Sequence, residues 1–209
     1  MDAPQIDDDR TLVGIDEVGI GCLAGPVVAA AVILDPANPI YGITDSKKIS
    51  EQRRKALADQ IMANAVDWAI GQASVSEIDQ HNILRASHLA LQRAYGDLKS
   101  VATLVLVDGN KLPHFPVESK AVIKGDETVL AIGAASIIAK VFRDGLMEEL
   151  GKKYPDYDFE RNKGYPTKSH MQTLRAIGPC AQHRNLSLIH ISEPTRLLSI
   201  SYAGFCLKK

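Results

Sequence analysis

Residues 11–34 read TLVGIDEVGIGCLAGPVVAAAVIL and carry the strongest indication of the architecture. Two apolar runs, residues 11–16 and 26–34, flank a connection with three glycines in seven residues, from Gly19 to Gly25. Short apolar runs separated by a glycine-rich connection are typical of neighbouring strands. The segment therefore predicts a pair of strands that opens a sheet.

The rest of the chain alternates between helical and extended patterns. Residues 103–107 (TLVLV) form a continuous apolar run, as expected of a strand buried on both faces. Residues 128–150 carry an apolar stripe at helical spacing. The other predicted elements are helices at 50–64 with Ser50 as N-cap, at 78–98 with Asp79 as N-cap and at 168–177 ended by Gly178 and Pro179, strands at 66–75 and 121–123, and a loop at 151–165. This order predicts an α/β fold with a mixed sheet flanked by helices.

The composition is that of an ordinary globular protein. Of the 209 residues, 45% are hydrophobic and 23% are charged, which excludes a disordered chain or a coiled coil. The formal net charge of −1 creates no overall positive field for a polyanion. Three cysteines without paired spacing disfavour a disulfide framework or a zinc site and suit a reducing compartment. No apolar run reaches the roughly 18 residues of a membrane span. We expect a cytoplasmic monomer without membrane contact.

Four carboxylates occupy places where ligands collect in α/β folds. Asp16 and Glu17 close the first predicted strand, Asp108 closes the TLVLV strand, and Asp126 precedes the most apolar helix. Ligands of open α/β sheets bind beyond the carboxyl ends of the strands. Carboxylate oxygens are suited to Mg²⁺ or Mn²⁺, and a cation relieves the repulsion among clustered acids. These four acids are therefore candidate metal ligands.

A purely structural role for the acids stays open at this point. Aspartates at strand ends commonly accept hydrogen bonds from nearby backbone N–H groups, and Asp126 is suited to cap the helix that follows it. Neighbouring residues on a regular strand point to opposite faces, so Asp16 and Glu17 share one site only if the chain bends there. The glycines at positions 19 and 21 favour such a bend.

Longer motifs carry more information than these single residues. In chain order they are GIDEVGIGCLAGPVVAAAVIL (14–34), TDSKKIS (44–50), SEIDQHNIL (76–84), LVDGN (106–110), IKGDE (123–127), AASIIAKVFRD (134–144) and GYPTKSH (164–170). With these motifs, residues 11–185 resemble the bacterial ribonuclease HII family.

The resemblance implies an RNase H-like fold and a specific activity. The activity is that of an endonuclease that hydrolyses the RNA strand of RNA–DNA hybrids and cuts at ribonucleotides embedded in duplex DNA, with 5′-phosphate and 3′-hydroxyl products. Its catalytic and metal-binding residues would be Asp16, Glu17, Asp108 and Asp126, which would hold two divalent ions, Mn²⁺ or Mg²⁺. The expected partners are RNA–DNA hybrids and ribonucleotide-containing duplex DNA.

The resemblance also implies a substrate-binding set, in which this chain departs from the family pattern. The family's Gly-Arg-Gly turn senses the ribose 2′-hydroxyl, the group that separates RNA from DNA. Here the turn is Gly19-Ile20-Gly21, and Cys22 stands where the family usually has proline. Isoleucine forms no charge-assisted contact to phosphate. A fragment that binds the hybrid but cleaves it poorly, because of Ile20 and a lost C-terminus, is therefore the alternative function.

The remaining site residues lie in other motifs. Lys47 matches a substrate-binding position, and Tyr165 matches a tyrosine that packs on the sugar next to the ribonucleotide. The alternative for Tyr165 is a half-buried core aromatic. We expect Lys140 and Arg143 to neutralise the acids from the helix behind them.

The last part of the chain departs from the family altogether. Residues 186–196 resemble an in-frame translation of a transposase sequencing adapter, and residues 200–209 resemble the rest of that adapter. We therefore expect an N-terminal tail at 1–10, a catalytic domain at 11–185 whose C-terminal helical segment is cut short, and a non-native tail at 186–209. A divergent C-terminal strand or helix is the alternative.

Overall fold

The protein, described by a computed structural model over residues 10–187, is built on one five-stranded sheet. The strands are β1 (Leu12–Val18), β2 (Val27–Ile33), β3 (Asp67–Ala73), β4 (Leu104–Asp108) and β5 (Glu118–Val122), in the spatial order β3-β2-β1-β4-β5. β2 is antiparallel to both β1 and β3, whereas β4 is parallel to β1 and to β5. The predicted mixed sheet flanked by helices is confirmed. The expected tail at 186–209 and shortened C-terminal helix lie almost wholly outside the described residues.

Helices cover both faces of this sheet. They are α1 (Glu51–Asn64), α2 (Val75–His81), α3 (Ile83–Gly96), α4 (Gly125–Thr128), α5 (Leu130–Lys153), α6 (Phe159–Asn162) and α7 (Lys168–Ile177). α5 packs against β1 and β2 on one face, and α3 packs against β2 and β3 on the other. Within residues 10–187 no helix is both long and apolar enough to cross a membrane.

The central strands owe their close packing to small side chains. Every residue of β2 (VVAAAVI) is buried, with Val28, Ala30 and Val32 facing α1 and α5 and Ala29 and Ala31 facing α3. A Cβ added to Gly14 would collide with the backbone of α5 at Ala131 and Ile132. The glycine therefore lets the helix lie directly on β1, which places the start of α5 beside the end of that strand.

The helix predicted over residues 78–98 is wrong as a single element. It is two helices, because Asn82 adopts a left-handed φ of 70° that interrupts the helical hydrogen bonds. The Asn82 side chain accepts a hydrogen bond from the Arg85 N–H at 3.1 Å and so caps α3. Ser74, in a reciprocal pair with Glu77, caps α2, so the assignment of Asp79 as N-cap is also wrong.

Two other boundaries differ from the expectation. The strand predicted at 121–123 is β5, which begins earlier at Glu118, because pairing with β4 holds polar edge residues in extended form. The expected loop at 151–165 contains the last turn of α5, a 3-10 turn at Pro155–Tyr157 and α6. The predicted cap at Ser50 and the end of α7 at Gly178, where φ is 77°, are confirmed.

Candidate active site

The four predicted acids come from three separate elements and line one cavity. In the parallel pairing of β1 and β4, Ile15 lies beside Val107, so the next residues, Asp16 and Asp108, are neighbours at the carboxyl ends of the two strands. Asp126 enters from α4. The cavity has a volume of about 380 Å³ and is lined by Asp16, Glu17, Val18, Ser46, Lys47, Asp108, Asp126, Ser136, Lys140 and Tyr165.

Asp16 and Glu17 share this cavity without the expected bend between them. β1 continues as a strand to Val18, and the turn follows at Gly19, where φ is 98°. Asp16 is paired with Ala30 on the α5 face, and Glu17 with Ala29 on the α3 face. Both side chains reach the cavity because it lies beyond the end of the strand, where the two faces meet.

Burial and mutual repulsion disfavour the charged forms of these acids. Burial raises the pKa of Asp16 well above its usual value, and the neighbouring Glu17 charge raises it further. Burial and the Asp108 charge raise the pKa of Glu17 to about 7. The pKa of Asp126 is also raised, first by burial and then by Asp108. The cavity therefore concentrates acidic groups in a partly dry environment, where their charged forms are disfavoured unless a cation is present.

Only some of the carboxylate oxygens have a hydrogen-bond donor. The Gly125 N–H donates to Asp108 Oδ1 at 2.7 Å, and the Glu17 N–H donates to Asp16 Oδ1 at 2.7 Å. In the described part of the chain, Glu17 Oε2 is the one buried side-chain polar atom without a partner. An unpartnered buried carboxylate oxygen beside three other acids is suited to a hard divalent cation.

The four acids have suitable ligand atoms but do not converge on one point. Between residues 10 and 187, no three Asp, Glu, His or Cys side chains converge closely enough to form a ready metal cluster. The acids line the walls of the cavity instead of meeting at one point. The chemistry of the donor set nevertheless fits a divalent cation.

The cavity also contains residues that the sequence did not single out. Ser46 and Ser136 are buried, and their hydroxyl oxygens lie 3.0 Å apart. The nearby Ser136 hydroxyl lowers the pKa of Asp16 and so favours the charged carboxylate, opposing the effect of burial. The detectable signal was a polar residue inside the apolar AASIIA stretch of α5.

The predicted cations behave differently from one another. Lys47 is exposed at the cavity wall. Lys140 also lines the cavity, but its Nζ lies 2.7 Å from Asp144, which offsets its charge. Arg143 does not neutralise the acids as expected: its side chain is fully buried and donates to main-chain carbonyl oxygens instead. The helix therefore presents one cation to the cavity, not two.

The predicted substrate-binding residues are divided between the cavity and its surroundings. Tyr165 lines the cavity and is half-buried, with its ring centroid 5.8 Å from Lys140 Nζ. The turn Gly19-Ile20-Gly21 follows Val18 directly but does not line the cavity. Ile20 is 44% exposed, and no atom lies within 4 Å of a Cβ added to Gly21. This turn thus presents open backbone next to the acids.

Comparisons with known proteins give a consistent result. A family model described as Ribonuclease HII matches residues 13–190. Ribonuclease HII of Vibrio campbellii is 53% identical over 175 residues, which cover 84% of this chain and 82% of the relative. The ribonuclease H2 structure from Pyrococcus horikoshii OT3 matches with a TM-score of 0.72 at 22% identity, covering 87% of this chain and 95% of that one. Bst-RNase HIII, solved in complex with Mn²⁺, matches with a TM-score of 0.58 at 18% identity, covering 81% and 63%.

Proposed function

The chain belongs to the ribonuclease HII family and is a ribonuclease H that acts on RNA–DNA hybrids, and from this premise we propose that it also cuts at single ribonucleotides in duplex DNA. The products would carry 5′-phosphate and 3′-hydroxyl ends, and the catalytic residues would be Asp16, Glu17, Asp108 and Asp126. The observation that carries this proposal is that acids from β1, β4 and α4 line a single cavity.

The same four acids are proposed to hold two divalent ions, Mn²⁺ or Mg²⁺. Their hard oxygen donors and the unpartnered Glu17 Oε2 support this assignment, as does the Mn²⁺ complex of the related Bst-RNase HIII. When bound, such ions activate a water molecule and stabilise negative charge on the attacking and departing oxygens of a phosphodiester.

The residues around the acids are proposed to orient the nucleic acid. Lys47 would contact a phosphate, and Tyr165 would pack against a sugar that enters the cavity; both side chains line it. The open backbone at Gly21 allows close approach of a ribose, so its 2′-hydroxyl would be sensed by main-chain groups. Ile20 adds apolar surface there but no positive charge.

A cleavage assay tests this proposal directly. The substrate is a labelled DNA duplex with one ribonucleotide, incubated with Mn²⁺, with Mg²⁺ or with a chelator; an all-DNA duplex is the control. We expect cutting at the ribonucleotide only when a divalent ion is present. Binding without cutting in all conditions would instead favour the alternative function, a protein that binds the hybrid but cleaves it poorly.

A further inference from the structure

Two arginines are fully buried and, in the described part of the chain, have no carboxylate partner. Arg143 lies on α5, and Arg184 lies in the segment after α7; both side chains are inaccessible to solvent. Within residues 10–187, neither guanidinium forms an ion pair with an acid. Burial lowers the pKa of Arg184 to about 10, which still leaves it charged at neutral pH. A buried charge without a counter-ion is costly unless its donors are satisfied.

The donors of Arg143 connect two loops. Nη2 donates to the Ala24 carbonyl at 3.1 Å and Nε to the Pro26 carbonyl at 3.0 Å. Nη1 donates to the Lys163 carbonyl at 2.9 Å. One guanidinium therefore joins the chain after the Gly19-Ile20-Gly21 turn to the residues just before Tyr165.

Arg184 holds the same first loop from another side. Nε donates to the Gly25 carbonyl at 2.9 Å, Nη1 to the Ile20 carbonyl at 3.1 Å and Nη2 to the Pro26 carbonyl at 3.3 Å. Its backbone N–H donates to the Leu23 carbonyl at 2.8 Å. The main chain at Ile20 is thus held in place although its side chain is exposed.

The loops and the arginines fit one another closely. A Cβ added to Gly19 would collide with Arg143 Nε, and Gly19 and Gly25 both have positive φ values. A planar guanidinium offers five donors in a fixed fork, whereas a lysine offers three donors at one point. Lysine therefore preserves the charge but cannot reach carbonyls on both loops at once.

We propose that Arg143 and Arg184 form a carbonyl clamp that sets the distance between the Gly19-Ile20-Gly21 turn and Tyr165, and so determines how well a ribose is told from a deoxyribose. The two arginines are positioning residues, because they touch the loops and not the reacting atoms. Arg143 Cζ also lies 5.8 Å from the Tyr165 ring centroid, so the Tyr165 side chain is in contact with the clamp. This inference rests on the proposed function, since it concerns the same nucleic acid.

The test compares Arg143→Lys and Arg184→Lys with Arg85→Lys, a matched change at an exposed position of α3. Fluorescence anisotropy in a chelating buffer measures the ratio of Kd values for an all-DNA duplex and the same duplex with one ribonucleotide. We expect this ratio to fall about tenfold in the clamp variants, because losing one charge-assisted hydrogen bond changes a binding constant by about that factor. The ratio should be unchanged in Arg85→Lys.

Two further measurements separate positioning from general loss of stability. Hydrogen exchange should become faster in residues 19–26 in either clamp variant, and also in residues 163–165 in Arg143→Lys, because only Arg143 bonds to Lys163. Ile61→Val, a core change on α1, supplies a protein of lowered stability with an intact clamp.

Three outcomes would overturn the clamp: unchanged selectivity in both lysine variants, an equal loss of selectivity in Ile61→Val, or unchanged exchange in the two loops. Absence of any preference in the unmodified protein would instead contradict the proposed function, while the exchange experiment would still test the clamp.

Discussion

Lowering the pH from 8 to 5 should remove the contribution of a buried histidine pair to the free energy of unfolding. The Cys180 N–H donates to His183 Nδ1 at 3.0 Å, and the two Nε2 atoms of His183 and His170 lie 2.9 Å apart. His170 Nδ1 lies 2.9 Å from the Tyr165 carbonyl, to which it must donate. This chain of bonds requires both rings to be neutral, with His183 donating from Nε2 to His170. A proton added to His170 Nε2 would face the Nε2–H of His183, and a proton added to His183 Nδ1 would face the Cys180 N–H.

The sign and size of the effect follow from the pKa of His183. Burial, followed by the proximity of His170, lowers this pKa from 6.5 to about 4. The unfolded chain therefore takes up the proton first, so the stabilisation is complete above pH 6.5 and is lost as the pH falls towards 4. At pH 5 the loss amounts to about 2 kcal/mol. The pKa of His170 is also lowered by burial, which adds to the loss in the same direction.

Urea unfolding at pH 8 and pH 5 measures this difference, provided that a second variant accounts for the carboxylates that titrate in the same range. His183→Gln keeps an amide donor near the position of Nε2 but does not titrate, so at pH 5, relative to pH 8, its free energy of unfolding should be higher by about 2 kcal/mol than the change in the unmodified protein predicts. The buried acids, whose pKa values are raised, act in the opposite direction to the histidines but do so equally in both proteins. His114→Gln, at an exposed position, should behave as the unmodified protein does. If the free energy of unfolding changes equally in all three proteins between the two pH values, the histidine pair does not have the protonation states assigned to it.

Three other substitutions test the site and the packing. Asp108→Asn should slow cleavage at least about 100-fold with an unchanged circular dichroism spectrum, since several kcal/mol of transition-state stabilisation depend on the metal site; full activity, or an equal loss in the exposed Asp59→Asn, would contradict its role. Ile20→Arg should tighten duplex binding at low salt and steepen the salt dependence by about one phosphate contact, measured by anisotropy; an unchanged slope argues against a phosphate near this turn. Gly14→Ala should lower the free energy of unfolding by about 1–3 kcal/mol or more, because its Cβ meets the α5 backbone, whereas Gly96→Ala, with open space around it, should not; equal urea midpoints would refute the packing argument.

Local sequence patterns predicted the central strands well, but they predicted the ends of helices and strands poorly. The apolar runs of β1, β2 and β4 identify strands because burial on both faces leaves no polar position in the run. The break at Asn82 was missed because the apolar spacing continues across it from α2 into α3. The polar start of β5 was missed because partners on β4, and not its own residues, hold it extended.

The candidate site shows the same division. The four acids were found from their places at the ends of strands and before a helix, and from the motifs around them. Ser136 was missed because a single serine in an apolar helix gives no sign of a functional role until its position beside Asp16 is known. Arg143 was assigned to the wrong partners because the helix position indicates which way a side chain starts, but not which carbonyls it will meet.

The sequence by itself determined the order of the five strands, the positions of the four candidate acids and the presence of Ile20 in the turn, because each of these is a property of neighbouring residues. Only the tertiary structure decided that Asp16 lies beside Asp108, and that Arg143 and Arg184 reach the same loop from different elements. The physical reason is that these contacts join residues far apart in the chain. They depend on the register of parallel strands and on the close approach of α5, and neither is encoded in any single stretch of residues.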